Sequence, residues 1–264
     1  MFSFQEFTAF VQSLTPAIGA TVRRHIGRVR TEYKADDSPV TCADREIEQH
    51  IVGAIEKHFP GGTIVGEESG THAATERTAD GAGSVEWIVD PIDGTKSFIH
   101  GVPLFATLIG VMTGGEAVYG AIYNPLLDEL IVGDNRVALR NGVPTRMREC
   151  PSLGEATLLT TDILHVAQHR NLRTFLTLAE RCRVMRTWGD AYGYSLLATG
   201  RADIMVDPIM SRWDIAAVIP VIRGAGGAIT DYYGGDPAAG NSIVACPEAL
   251  YDTVMATLNP PDGA

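Results

Sequence analysis

Two aspartates lie three residues apart in the segment EWIVDPIDGTKSF, which spans residues 86–98. Asp90 follows an apolar stretch, and Asp93 comes just before a glycine. Pro91 disfavours helical backbone at the residue before it and Gly94 permits a sharp bend, so both carboxylates are expected at one turn. Carboxylate oxygens are hard ligands that suit Mg²⁺ better than zinc. The same D-P-x-D-G pattern also favours a plain β-turn without function, and the segment alone leaves both interpretations open.

Two further acidic motifs stand far from this segment. Glu67 lies in GEES (residues 66–69), and Asp214 lies in WDIAA (residues 213–217). Taken alone, the first motif is typical of a solvated loop and the second of a helix N-cap. Together with the aspartate pair and the Ile92 carbonyl, they supply enough oxygen ligands for two shared Mg²⁺ ions. Without cations, like charges held this close would repel one another.

The three acidic motifs, in this order and at this spacing, resemble the inositol monophosphatase family of Mg²⁺-dependent, lithium-sensitive phosphatases. SPVTCADREIE (residues 38–48) and ATGRADIMVD (residues 198–207) are similar to the family as well, so the resemblance covers nearly the whole chain. It implies an α/β (α+β) fold, a layered αβαβα sandwich similar to that of inositol monophosphatase and fructose-1,6-bisphosphatase. It also implies a homodimer, a small phosphate monoester as substrate, and two or three Mg²⁺ ions per site.

The resemblance also implies which residues hold the metals. The first Mg²⁺ is expected at Glu67, Asp90 and the Ile92 carbonyl, and the second at Asp90, Asp93 and Asp214. One ion would generate the nucleophile from water and the other would stabilise the leaving oxygen, so no covalent enzyme intermediate is required. A G-x-S-x-G elbow, which a serine nucleophile would need, is absent from the sequence.

Three further roles follow from the same resemblance. Thr95, oriented by Asp44, is expected to help Glu67 position the attacking water. The backbone of Gly94 and Thr95 is expected to receive the phosphate, as N–H groups at a helix start can. Asp214 is assigned to the substrate pocket as well as to the metals.

The residues around two of these motifs bear on the substrate. DPIDGTKSF (residues 90–98) departs from the D-P-I-D-G-T-T-N-F usual in inositol phosphatases, and WGDAYGY (residues 188–194) replaces their G-[ST]-A-A stretch. Both segments resemble the histidinol-phosphatase branch of the family, which serves histidine biosynthesis. That branch usually has cysteine where this chain has Ala191. The resemblance places Asp190 and Asp207 near the organic part of the substrate, where acidic groups suit an amino alcohol or imidazolium better than a neutral polyol.

Several of these residues have simpler interpretations. Asp190 and Asp207 could each cap the end of a loop. Lys96 could face the phosphate or be solvated. Thr161 and Asp162 end a predicted strand and could line the pocket.

Three functions therefore remain open. The first is hydrolysis of L-histidinol phosphate to L-histidinol and phosphate, and the second is hydrolysis of inositol 1-phosphate or another polyol monophosphate. A role on bisphosphates is less favoured, because the sequence shows no cluster of Arg or Lys for a second phosphate. The third is a catalytically silent binding protein, which the presence of Thr95 and of every expected metal ligand argues against.

Hydrophobic periodicity predicts the elements that position these residues. An N-terminal half of residues 1–149 should carry most metal ligands, and a C-terminal half of residues 150–264 should complete the site. The predicted helices are a capped one from Ser3 toward Val29, one opened by Thr41 and stopped at FPGG, and four in the second half at residues 169–182, 192–200, 213–227 and 248–258. The predicted strands of the first half are TIVG, VEWIVD up to Asp90, and residues 106–113, 116–123 and 128–140, with residues 69–84 as a polar loop.

Composition narrows the setting. The chain has 264 residues and a net charge of −11, which disfavours nucleic acid as a partner. Its four cysteines show no C-x-x-C spacing and its seven histidines no zinc motif, so we expect reduced thiols in a cytoplasmic protein. We expect no signal peptide and no membrane-spanning segment, since no apolar run is long enough.

Overall fold

The computed structural model describes residues 2–35, 38–73 and 85–261. The helices are α1 (Phe4–His25), α2 (Cys42–His58), α3 (Thr95–Ile99), α4 (Ile163–His169), α5 (Leu172–Arg181), α6 (Asp190–Ala198), α7 (Arg212–Gly224) and α8 (Glu248–Leu258). The strands are β1 (Glu32–Tyr33), β2 (Pro39–Val40), β3 (Thr63–Gly66), β4 (Gly70–His72), β5 (Val85–Asp93), β6 (Ala106–Thr113), β7 (Glu116–Asn124), β8 (Glu129–Gly133), β9 (Ala138–Arg140), β10 (Val143–Thr145), β11 (Thr157–Leu159), β12 (Val184–Arg186), β13 (Ile204–Asp207), β14 (Gly227–Thr230) and β15 (Ile243–Pro247).

Two large sheets organise the chain. The first has eight strands in the order β10-β9-β8-β7-β6-β5-β3-β4, and all neighbours are antiparallel except β3 and β5. The second has five strands in the order β12-β11-β13-β15-β14, in which β11 runs parallel to both of its neighbours. Strands β5 and β6 are almost wholly buried, which explains why their sequences are nearly continuous runs of apolar residues.

Helices cover or separate the sheets in five layers. Helices α1 and α2 pack on one face of the first sheet around Trp87, which is fully buried. Helices α6 and α7 lie between the two sheets, and α5 and α8 cover the outer face of the second. This αβαβα order confirms the predicted fold class. Every residue of α7 from Ile215 to Ile222 is buried, as a helix packed between two sheets requires.

Glycines in the first sheet bring α7 unusually close. A Cβ at Gly120 would stand 1.9 Å from the Ala217 carbonyl oxygen, and one at Gly133 would stand 2.4 Å from that of Pro220. The helix therefore lies directly against backbone in β7 and β8. This close packing fixes the position of the first turn of α7, where Asp214 lies.

Element boundaries differ from the predictions in several places. Helix α1 begins with the expected capping box at Ser3 but ends at His25 instead of Val29, because Gly27 adopts a φ of 63°. The predicted strand 128–140 is two strands, since Asn135 has a φ of 69° in the turn between them. Helix α5 begins three residues later than predicted, and the separate helix α4 precedes it.

The predicted polar loop of residues 69–84 contains a short strand. Residues 70–72 pair with β3 as strand β4 at the edge of the first sheet. The remainder of the predicted loop, residues 74–84, lies outside the described residues.

The predicted division at residues 149 and 150 falls between the two sheets. The first sheet ends with Thr145, and the second begins with Thr157. The two parts share the hydrophobic cluster around α6 and α7. Whether each part behaves as a domain stays a prediction. Among the described residues, no helix combines the length and hydrophobicity that crossing a bilayer would require.

Candidate metal and substrate site

The aspartate pair lies at the end of β5, in the middle of the first sheet. The strand continues through Asp93, beyond the Asp90 end that its sequence predicted, and its pairing with β6 shifts register between the two aspartates. Oδ1 of Asp90 accepts the N–H of Ile92 at 2.9 Å, which fixes this carboxylate at the bend. The hydroxyl of Thr107 donates to the Pro91 carbonyl at 2.8 Å and anchors the irregular strand from the neighbouring one.

The third aspartate comes from the first turn of α7. Ser211 and Asp214 form a capping box, in which Asp214 Oδ2 accepts the N–H of Ser211 at 2.8 Å. The N-cap residue is therefore Ser211 and not Asp214, which takes the third helical position of the box, and the Asp214 carboxylate also faces the end of β5. Asp90, Asp93 and Asp214 each offer one oxygen, and these oxygens all lie within 4.8 Å of one another.

Burial and mutual repulsion dominate the electrostatics of this cluster. Burial raises the pKa of Asp90 well above its ordinary value, and the carboxylates of Glu67, Asp93 and Asp214 raise it further. Burial likewise raises the pKa of Asp93, although the N–H of Ala191 opposes the rise. The pKa of Asp214 is raised to about 7, chiefly by burial. The three carboxylates therefore lie close together where water has little access. Their negative charges are not fully compensated within the protein.

Glu67 follows β3 directly and lies beside this cluster, close enough for its charge to raise the pKa of Asp90. Its Oε1 accepts a hydrogen bond from Nζ of Lys34 at 2.9 Å, and the same ammonium lies 2.7 Å from Oε1 of Glu68. Sequence analysis missed Lys34, which lies just after β1. The signal for it was the uncompensated pair of adjacent glutamates, which calls for a cation from elsewhere.

Glu48 is a second residue that sequence analysis missed. It lies on α2, is almost wholly buried, and accepts the N–H groups of Glu68 at 2.9 Å and Ser69 at 2.7 Å. A Cβ at Gly66 would stand 2.6 Å from the Glu48 carboxyl carbon, so the glycine makes room for this contact. Glu48 therefore holds the GEES segment in place from behind.

Thr95 and Asp44 meet across the same site. Asp44 is fully buried in the first turn of α2, where its Oδ2 accepts the N–H of Thr41 at 2.9 Å. The hydroxyl of Thr95 lies 3.5 Å from Asp44 Oδ1 and donates to the Ile92 carbonyl at 3.0 Å. Gly94 has a φ of 93°, a conformation that disfavours side chains, and α3 begins directly after it.

Asp190 reaches the site from the second half of the chain. Its backbone has a φ of 50° at the start of α6, and its N–H donates to the Thr161 hydroxyl at 2.9 Å. Its Oδ2 points toward Gly94, where an added Cβ would stand 3.0 Å away. Burial, followed by the charges of Asp207 and Asp214, raises the pKa of Asp190 to about 7. The next residue donates its N–H to Asp93 Oδ2 at 2.6 Å, which links the two halves at the site.

Asp207 lies at the end of β13 and is buried. Its Oδ1 accepts the N–H of Thr161 at 3.1 Å, and its Oδ2 accepts the hydroxyl of Tyr194 at 2.8 Å. Both oxygens are thus engaged within the protein, and burial raises the pKa of the carboxyl. The contact to Thr161 also orients the residue that receives the Asp190 N–H.

Two cavities adjoin the cluster. The first, here called the aspartate cavity, has a volume of about 250 Å³ and is lined by Asp93, Asp207 and Asp214 among others. The second, here called the threonine cavity, has a volume of about 310 Å³ and is lined by Glu67, Gly94 and Thr95 among others.

The other lining residues complete these cavities. Lys96 is exposed at the rim of the threonine cavity, and its charge partly offsets the rise in the pKa of Asp190. Thr161 and Asp162 line both cavities. A larger groove of about 710 Å³ between α5 and α8 lies on the outer face of the second sheet, away from the clustered aspartates.

The donor set fits a hard divalent cation. All of the converging side-chain atoms are carboxylate oxygens, which Mg²⁺ prefers, and none is a thiolate or imidazole. The repulsion that raises the pKa values of Asp90 and Asp93 would be relieved by positive charge at this point.

The fold has five layers in the order αβαβα, and its buried and partly buried carboxylates gather where a strand of the first sheet meets a helix between the sheets. This combination defines a class of metal-dependent phosphatases. Within that class, the chain belongs to the inositol monophosphatase family, whose model matches residues 3–260. The family recognised from the three acidic motifs is therefore confirmed, and the protein is a phosphatase of this family, which in general depends on Mg²⁺.

Relatives with different names match the chain at similar identity. It is 37% identical over 227 residues to a histidinol-phosphatase of Chlorobaculum parvum, with 85% of each chain covered. It is also 37% identical to the bifunctional phosphatase IMPL2 of Arabidopsis thaliana, covering 86% of this chain but only 65% of that protein. An inositol-1-monophosphatase of Mesorhizobium japonicum is 33% identical, with 92% of each chain covered.

Solved structures agree with the fold. An IMPase from Thermotoga maritima superposes with a TM-score of 0.84 at 29% identity, covering 96% of this chain and 97% of that one.

Proposed function

We propose that this protein hydrolyses L-histidinol phosphate to L-histidinol and inorganic phosphate in a Mg²⁺-dependent reaction, as histidine biosynthesis requires. The observation that carries the proposal is Asp190, a partly buried carboxylate whose Oδ2 points toward Gly94 from the opposite half of the chain. A substrate ammonium would compensate this negative charge, whereas a neutral polyol would leave it unpaired. Relatives named histidinol-phosphatase at 37% and 34% identity support the choice.

The residues would divide the metal binding as follows. Glu67, Asp90 and the Ile92 carbonyl would hold one Mg²⁺, and Asp90, Asp93 and Asp214 would hold another. Bound divalent cations would activate the attacking water and neutralise charge on the leaving oxygen. Lys34 engages only Oε1 of Glu67, so Oε2 of that carboxylate would serve as the ligand.

The remaining residues would position the water and the ester. Thr95, held near Asp44, would orient the water with Glu67, and the backbone N–H groups of Gly94 and Thr95 would bind the phosphate. Water attacks phosphorus, the P–O bond to the alcohol breaks, and the alcohol leaves with a proton. Because the activated water would itself attack phosphorus, the site should work without a covalent enzyme intermediate.

Asp207 has an indirect part in this proposal. Both of its oxygens are engaged by Thr161 and Tyr194, so it would position the Asp190 segment and shape the aspartate cavity. This role preserves the expected link between Asp207 and substrate while accounting for its internal hydrogen bonds.

A polyol monophosphate such as inositol 1-phosphate is the second candidate, supported by the 33% identical inositol-1-monophosphatase. Steady-state kinetics on both esters, with phosphate release measured at saturating Mg²⁺, separates the two. We expect kcat/KM for L-histidinol phosphate to exceed that for inositol 1-phosphate by about tenfold or more, as an unpaired buried charge would require. Faster hydrolysis of inositol 1-phosphate would refute the proposed substrate.

A catalytically silent binding protein is the remote alternative. Asp90→Asn removes a charge from the cluster and should lower Mg²⁺-dependent phosphate release by about 100-fold or more. Asp252→Asn, an exposed aspartate on α8, is the matched control and should retain activity. Equal activity of wild type and Asp90→Asn would remove the metal assignment, and no phosphate release by wild type would favour the silent protein.

Three properties of the whole protein belong to the same proposal. We infer a homodimer, sensitivity to lithium and a cytoplasmic location, all of which the family resemblance supports. Light scattering coupled to size-exclusion chromatography should give twice the 28.3 kDa mass of the chain. A mass of one chain across the working concentration range would contradict the dimer.

A further inference from the structure

His165 lies on the wall that the two cavities share. Four residues line both the aspartate cavity and the threonine cavity: Thr161, Asp162, His165 and Asp190. The part of a substrate that extends from the phosphate therefore passes this wall whichever cavity it enters. The wall consists of the end of β11, the first turn of α4 and the start of α6.

The other three residues of the wall are partly committed. The hydroxyl of Thr161 accepts the Asp190 N–H, and Asp162 Oδ1 caps α4 by accepting the Leu164 N–H at 2.8 Å. The Asp190 carboxylate is the group that our proposal pairs with the substrate ammonium. No hydrogen bond is found for the imidazole of His165 within the part of the chain that the structure describes, and this side chain is only partly buried.

His165 also differs in chemistry from the other residues that line the two cavities. Among the described residues that line either cavity, it carries the single aromatic ring. Three acidic residues, Asp162, Asp190 and Asp207, line the aspartate cavity together with His165, and His165 is near enough to Asp207 to act electrostatically on the pKa of that carboxyl. A flat, nitrogen-containing ring from a substrate can stack on such an imidazole and exchange a hydrogen bond with it.

We infer that His165 is a specificity-determining residue, which contacts the imidazole ring of the substrate while Asp190 pairs with the ammonium. This inference rests on the proposed function, because it names the side chain that reads the ring of L-histidinol phosphate. In the proposed function, the phosphate and the scissile bond would lie at Gly94 and Thr95, which line the threonine cavity and not the aspartate cavity. A change at His165 should therefore alter substrate choice and leave the chemical step intact.

The test compares His165→Ala with His169→Ala. His169 lies one turn later on the same helix, with its ring centroid 6.1 Å from that of His165, and lines neither cavity. His165→Ala should lower kcat/KM for L-histidinol phosphate by about tenfold, mainly through KM, and should change kcat/KM for inositol 1-phosphate by less than about twofold. His169→Ala should behave as wild type on both esters. Equal losses on both esters, or no loss on either, would overturn the inference.

A binding experiment separates this inference from the proposed substrate. L-Histidinol and L-alaninol are both amino alcohols, and only the first has an imidazole ring. In wild type, L-histidinol should inhibit about tenfold more strongly than L-alaninol, and His165→Ala should abolish this difference. The same result is expected for His165→Asn, which retains a polar side chain and loses the ring. If wild type prefers inositol 1-phosphate, the proposed function fails. An inhibition ratio unaffected by both His165 variants contradicts the role of His165 independently of that outcome.

Discussion

At the scale of single residues, each aspartate of the cluster is fixed by one backbone N–H group. Asp90 accepts from Ile92, Asp93 from Ala191, and Asp214 from Ser211. A carboxylate held through one oxygen can direct the other toward a shared point without losing its orientation. The donors come from a strand, a helix start and a capping box, so three kinds of local structure converge on one site.

Thr95 gives a sharp prediction at this scale. Thr95→Val keeps the volume of the side chain but removes the hydroxyl that lies between Asp44 and the Ile92 carbonyl. We expect kcat to fall by about 100-fold with KM nearly unchanged, since the hydroxyl would position water and not the ester. Thr95→Ser should restore most of the activity. A rise in KM at constant kcat would contradict this assignment.

Most of these residues could be identified from the sequence, because an acidic side chain after an apolar strand or at a helix start indicates a candidate metal ligand. Carboxylates after an apolar strand and at a helix start pointed to Asp90, Asp93 and Asp214 before their distances were known. The sequence did not indicate Lys34 or Glu48, because a lone lysine or glutamate on a helical or loop segment is usually solvated. Only the three-dimensional structure shows that both contact the GEES segment.

At the scale of elements, the position of α7 decides whether Asp214 meets the other aspartates. The helix lies against the backbone of the first sheet because Gly110, Gly120 and Gly133 have no side chains in its path. The sequence pattern does not predict this contact between α7 and the first sheet, since an isolated glycine in a strand also marks bulges and turns.

Gly120→Ala tests this packing. The new methyl group would overlap the Ala217 carbonyl oxygen, which stands 1.9 Å from the ideal Cβ position, so α7 must move. We expect a loss of about 1–3 kcal/mol in the free energy of unfolding, measured by urea denaturation. Mg²⁺ affinity should fall too, since Asp214 moves with its helix. Gly53→Ala on α2, where nothing lies within 4 Å, is the control, and an equal effect of both changes would contradict the account.

Boundaries of elements were harder to predict than the elements themselves. Helix α4 has seven residues, too few to show a helical period clearly, and was missed. The turn between β8 and β9 depends on left-handed backbone at Asn135, which a run of strand-forming residues conceals. Strand β5 extends to Asp93 because the irregular pairing with β6 tolerates Pro91.

At the scale of the whole molecule, the site joins the two halves of the chain. Asp93 and Ala191 are connected directly, and two buried carboxylates bind arginines across the same boundary: Glu129 with Arg201 and Asp203 with Arg148. Cations bound between β5 and α7 would add further connections. Metal binding should therefore stabilise the folded protein as a unit.

The raised pKa values give this stabilisation a pH dependence. Asp190 and Asp214 have pKa values of about 7 in the folded protein, against about 3.9 for an unfolded aspartate. The folded state then binds more protons than the unfolded state between these values, so the metal-free protein loses stability as pH rises from about 4 to 7. Protons also compete with metal for the carboxylates. We expect Mg²⁺, compared with EDTA, to raise Tm more at pH 8 than at pH 5.5, as measured by scanning calorimetry. An equal or smaller increase at pH 8 would contradict this assignment.

The central claim is that carboxylates from separate parts of the chain hold divalent cations together. Crystals of the full chain soaked in Mn²⁺, which replaces Mg²⁺ and scatters anomalously, test it most directly. We predict anomalous peaks at about 2.1 Å, the distance typical of Mg²⁺ ligands, from oxygens of Asp90, Asp93 and Asp214, with the peaks lost in crystals of Asp214→Asn. Well-ordered aspartates with no anomalous peak between them, or peaks confined to other surfaces, would contradict the account.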